Sequence, residues 1–195
     1  MPARGDDPIG WLTATGAQTD VIDGLRPIAS DWATLYERCP RGDWLLGILS
    51  RLGAPHPSLV RAASACARLA LDIAEDDPPI GSAARAVLDC AEAWSRGEAP
   101  PSEVAAARAA LEEVTSSATD PAIDAAARAA LATGMGVDDR DVLAGAPAAA
   151  AEAWMMRALD CGLELAMRAA HDKCATAVRN ALPWRDVEAC LEPGP

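Results

Sequence analysis

His171 and Cys174 stand three residues apart, a spacing that brings two side chains to one face of a helix. With Cys39 or Asp43 supplied by the fold, they would form a metal-ligand set. A structural zinc usually takes four such ligands, and no second close pair accompanies this one, so a buried cysteine and a surface histidine, without metal or other cofactor, is the stronger reading. His56 and His171 are the only histidines able to activate a cysteine nucleophile, and His56, between Pro55 and Pro57, better suits a helix start. The chain has no G-x-S-x-G, Walker or H-E-x-x-H pattern. No residue is therefore assigned a catalytic role, and the expectation is a protein that is not an enzyme.

Asp43, Arg68, Arg96 and Arg179 each border an apolar helix face. A buried aspartate is costly unless an arginine or backbone donors satisfy it, which predicts a partly buried Asp43 paired with Arg68 or Arg179. Such a pair would fix helix register, a reading preferred here to a ligand site. Trp44, Trp94 and Trp184 read as anchors in the core or at helix junctions. The acidic segments Asp76-Asp77 and Asp138-Asp139-Asp141 are solvated loops or, on the sharper reading, partner-binding patches for a basic protein.

These residues must be carried by helices. Alanine supplies much of the 51% hydrophobic content, phenylalanine is absent and Tyr36 is the one tyrosine, so summed propensity points to an all-α, single-domain bundle over residues 1–195 with the tryptophans as its bulky members. Asp20 is placed to cap a first helix running to about Tyr36, kinked or delayed by Pro27. Further helices are expected from Pro40 to Gly53, from Pro57 to Ile73, from about Ser82 to Arg96, around Val104 to Val114, and from Pro121 to near Gly134. Residues 133–147 carry three glycines and are expected to form a mobile loop with one helical turn at Arg140 to Leu143. A single long helix is predicted from Ala148 to Leu182, roughly 50 Å at 1.5 Å per residue, with Gly162 able to bend it. A short helix from Trp184 to Leu191 closes the chain, with 1–17 and 193–195 expected to be flexible.

Net charge is −12 with a pI near 4.5, which disfavours nucleic acid and anionic membrane surfaces. No run is apolar enough to span a bilayer and the start lacks a signal-peptide core, so a cytoplasmic protein, monomeric when free, is expected. Six cysteines without a C-x-x-C pair fit reduced, buried small hydrophobes.

The segment Cys39-Pro40-Arg41-Gly42-Asp43-Trp44-Leu45-Leu46 is answered downstream by Cys66-Ala67-Arg68, by Trp94-Ser95-Arg96-Gly97-Glu98, and by Cys174, Val178, Arg179, Pro183 and Trp184. In order and separation this set resembles the alanine-rich, all-helical immunity proteins of bacterial toxin–immunity loci. Gly47 stands where relatives often carry a second tryptophan, and Asp77-Pro78-Pro79 lacks a commonly present arginine. The resemblance implies a protein that binds a cognate toxin, without catalysis, and occludes its active surface. A helical adaptor or regulatory subunit is the alternative from another class, and a thiol- or metal-dependent sensor is a third.

Overall fold

The computed structural model describes residues 7–116, 118–158 and 162–191, and among them the chain forms twelve α-helices, one 3-10 turn and no strand. The architecture is an all-α multi-helix bundle, as propensity dictates. Its first part comprises α1 (Pro8–Ala14), α2 (Thr19–Leu25), α3 (Trp32–Arg38) and α4 (Gly42–Arg51). From Pro8 onward the start differs from the flexible segment expected over residues 1–17. Asp7 caps α1 by accepting from the Gly10 N–H at 2.9 Å, and Trp11 and Leu12 are buried. The continuous helix expected between Asp20 and Tyr36 is instead two. Gln18, not Asp20, holds the N-cap of α2, Arg26 to Ser30 interrupt around Pro27, and α3 restarts under the Asp31 cap, which accepts from Thr34 N at 2.7 Å.

The centre follows as α5 (His56–Leu69), α6 (Leu71–Ala74), α7 (Pro78–Ser95), α8 (Pro101–Thr115) and α9 (Pro121–Met135). Prolines at the first turns of α7, α8 and α9 mark their starts, and Asp77 and Asp120 accept from the backbone there. The α5 helix is the hub, packed against α4, α7, α9 and the later α10 (Gly145–Arg157) and α11 (Leu163–Ala181). Leucines fill the largest sealed positions, among them Leu45, Leu46, Leu49, Leu59 and Leu88. Trp11 and Trp32 meet edge to face in the core at 5.5 Å, whereas Trp44, Trp94, Trp154 and Trp184 are only partly buried, so leucine and alanine, more than tryptophan, build the interior. Ala125, Ala126, Ala129 and Ala130 of α9 are buried, as are Ala146, Ala149, Ala150 and Ala153 of α10, and the two helices pack on these small faces.

The long helix expected over 148–182 is two, α10 and α11. Ala158 C-caps α10, and Gly162 at φ 93° opens α11 in a conformation that other residues rarely adopt; residues 159–161 lie outside the described set. Much of the loop expected at 133–147 is helical, since Thr133 to Met135 complete α9 and Gly145 to Pro147 begin α10. Its middle holds the 3-10 turn Arg140–Val142. The final helix, α12 (Trp184–Leu191), has the bounds expected from sequence, and residues 193–195 fall outside those described.

Candidate functional site: a mixed-charge cleft beside α4

The start of α4 is held in three directions. Gly42 lies against α11 so closely that a Cβ there would stand 2.7 Å from the Cys174 backbone. Asp43, 13% exposed, receives a bidentate arginine, with Arg41 Nε donating to Oδ1 at 3.1 Å and Nη2 to Oδ2 at 2.7 Å. The same guanidinium lies 4.5 Å over the Trp44 ring, and the far edge of that indole meets α2 where a Cβ on Gly24 would be 2.3 Å away. Arginine thus satisfies Asp43, but it is Arg41, two residues away, and neither Arg68 nor Arg179.

Those two arginines are engaged elsewhere. Arg179 donates from Nε to the Tyr36 carbonyl at 3.0 Å and from Nη2 to the Cys39 carbonyl at 2.5 Å, serving the orphan acceptors at the end of α3. Tyr36 returns the link by donating its hydroxyl to the Leu182 carbonyl at 2.5 Å, and its ring lies 5.4 Å from Trp184. Arg68 instead ties α5 to α7, donating to Glu92 and Asp89, each at 2.6 Å. Burial pushes the Glu92 carboxyl up, but hydrogen bonds from Arg68 and Ser64 prevail and hold it below the usual range. At the other end of α5, Trp94 lies edge-on to His56 at 5.2 Å, while His56 Nε2 lies 2.6 Å from the Gly136 carbonyl.

Cys39, Cys66 and Cys174 are buried, and the Cys66 thiol donates to the Cys174 carbonyl at 3.4 Å. Desolvation pushes the Cys39 thiol up to about 11, away from nucleophilic use. His171 is not the surface residue expected. Its side chain is 15% exposed, and its Nδ1 is buried without a hydrogen bond, 3.9 Å from Asp43 Oδ1. Burial, reinforced by Arg41, lowers its pKa against the opposing pull of Asp43 and Asp172. Among the described residues no group of three or more His, Cys, Asp or Glu side chains is placed to hold a metal.

On the solvent side of α4 lies a cleft of about 510 Å³, within the size range of ligand sites. Leu12, Val21, Trp44 and Ile48 give it apolar walls, and Gly47 contributes space, since a Cβ there would meet nothing nearer than Ala144 Cβ at 3.8 Å. Its charged lining is balanced, with Asp20, Asp43 and Asp141 beside Arg41, Arg51 and Arg140. Asp43, Trp44 and Asp141 are thus brought together from separate sequence predictions. Asp76, Asp77, Asp138 and Asp139 are placed elsewhere and largely engaged. Asp76 pairs with Arg157 at 2.5 Å, Asp138 with Arg108 at 3.6 Å, and Asp77 and Asp139 accept backbone N–H groups. Sequence reasoning overlooked Asp20, Arg51 and Arg140 as site residues. The available signal for Arg140 was a lone arginine inside the acidic run Asp138-Asp139-Arg140-Asp141.

Comparisons with protein-family models, curated proteins and solved structures find no match to this chain. Among the described residues no helix is long and apolar enough to cross a membrane.

Proposed function

We propose that this chain is a protein-binding immunity domain, monomeric when free, that engages a cognate toxin in the cytoplasm and covers its active surface without catalysis. The observation that carries the reading is the cleft beside α4, which offers an aromatic and aliphatic wall, charges of both signs and a rigid helical support in one place. A net charge of −12 favours rapid encounter with a basic partner, while the apolar wall sets the lifetime of the complex. Because Asp76 and Asp138 are already paired with arginines, the binding role passes from those loops to Asp141 and its cleft neighbour Asp20. The resemblance of the Cys39–Leu46 segment and its downstream counterparts to immunity proteins supplies the identity of the partner class.

Co-expression with toxin genes from the same locus tests the reading. Growth rescue is expected from the wild-type chain and is lost with Gly47→Leu, which fills the cleft. Absence of rescue against every neighbouring toxin overturns the immunity reading. Rescue that survives a filled cleft removes the cleft from the interface.

A further inference from the structure

We propose that the cleft binds a monocarboxylate with an apolar stem, its carboxylate held by Arg51 and Arg140 and its stem laid along Trp44, Val21 and Ile48. The inference rests on the cleft being the binding site, and is independent of whether the partner is a toxin.

Arg51 and Arg140 line the same cleft, and neither makes an ion pair among the described residues. Arg41, Arg68, Arg85, Arg108, Arg128 and Arg157 by contrast all find carboxylates, and Arg179, which does not, is engaged by the carbonyls of Tyr36 and Cys39 away from the cleft. Both cleft arginines nevertheless have a hydrogen-bonded anchor, single and exposed for Arg51 and double and part-buried for Arg140. Arg51 Nη1 donates to the Thr15 carbonyl at 2.8 Å, while Arg140 donates from Nε to Ser50 Oγ at 3.3 Å and from Nη2 to the Ala54 carbonyl at 2.9 Å. A guanidinium has five N–H donors, so each keeps donors to offer and a permanent positive charge. Anchoring by neutral acceptors leaves each guanidinium without a carboxylate in direct contact, although Asp20 and Asp141 share the lining, and holding the side chains beforehand lowers the ordering cost of binding.

The lining also selects the anion. Asp20, Asp43 and Asp141 face the same space, and their charge opposes a phosphate dianion more strongly than a singly charged carboxylate. The planar carboxylate matches the arginine fork, and the apolar wall beside it calls for a hydrocarbon stem next to the acid group. A free small acid or the C-terminal carboxylate of a partner chain would present this chemistry.

Titration of the full-length protein, followed through the Trp44 indole and arginine Nε–H resonances by NMR, distinguishes these cases. The probes are N-acetyl-leucine, N-acetyl-leucinamide, inorganic phosphate, and a five-residue peptide ending in leucine with a free or an amidated C-terminus. The expected result is a saturable shift with the free acids only, weakened about tenfold or more by Arg51→Gln or by Arg140→Lys, which keeps charge but removes the fork. Tighter binding of the free-acid peptide than of N-acetyl-leucine assigns the site to a chain terminus, and equal binding assigns it to a small acid. No shift at millimolar probe, equal shifts with the amides, a preference for phosphate, or Arg51→Gln binding like wild type in a folded protein would each overturn the proposal.

Discussion

Helix α4 carries two glycines five residues apart that are present for opposite reasons. At Gly42 the Cys174 backbone of α11 occupies the space a Cβ would need, with a contact of 2.7 Å; at Gly47 the nearest neighbour would be 3.8 Å away, across open cleft. One face of the helix is therefore closed to a single methyl, and the other has room for a large group. Leu45, Leu46 and Leu49 lie on the closed side, while Asp43, Trp44, Gly47, Ser50 and Arg51 serve the open side. Close packing and open surface are thus separated on one helix, so a change on one side is expected to leave the other little affected.

Breaking the closed side should give the largest effect. Gly42→Val forces two helix backbones apart, and the expected loss lies near the top of the roughly 1–3 kcal/mol typical of overpacking, read as a lower urea midpoint. An unchanged midpoint would mean that α4 and α11 are not held at this distance.

The two arginine clamps should show intermediate effects. Arg179→Met leaves the carbonyls of Tyr36 and Cys39 without their charged donor and should cost about 2 kcal/mol. Arg68→Met removes contacts from a site where Arg68 is 32% and Asp89 59% exposed, so solvent screening should hold its cost to about 1 kcal/mol or less. Paired urea melts check the order of the two variants. A larger loss at Arg68 would relocate the main junction to α5 and α7.

The legibility of these features follows the range of the forces that make them. The helix start at Pro121 and the whole of α12 are local events, controlled by fixed φ and periodic faces, and they stand in the sequence, whereas α7 and α8 begin at Pro78 and Pro101, ahead of the expected Ser82 and Val104, because a proline that stops one helix also suits the first turn of the next. The break at Gly162 was visible only as a bend, because helix propensity on both sides conceals how the chain turns there. That Asp43 needs an arginine follows from its place at an apolar face. Which arginine answers it depends on competition, and Arg179 and Arg68 were already claimed by the end of α3 and by Glu92. The cleft itself was illegible, since it depends on space left at Gly47 when α2 and the 3-10 turn dock on α4.

On the open side the expected stability effect is small. Gly47→Leu adds a good helix former where space exists, so the melting temperature should stay level or rise slightly, with at most about 1 kcal/mol gained. The same variant should abolish the shift of the Trp44 resonance by N-acetyl-leucine. A marked loss of stability would show that Gly47 also serves close packing, and the two sides of α4 would no longer be separable.

His171 sits behind this divide, next to the Asp43–Arg41 pair, and gives the finest test of it. Burial first, and then Arg41, hold its folded pKa below the ordinary 6.5, so the unfolded chain takes up the proton before the folded one does. Stability is therefore undiminished above about pH 6.5, declines as pH falls below that value, and stops declining once the folded pKa has been passed. Glu92, whose pKa is lowered from an ordinary 4.5, acts in a more acidic window and leaves the range between pH 7.5 and 5.5 to His171. Urea midpoints at those two pH values should differ in the wild type and converge in His171→Gln, which cannot take up the proton. If the variant keeps the full pH slope, the acid sensitivity arises elsewhere, and the pair at the start of α4 is not felt through His171.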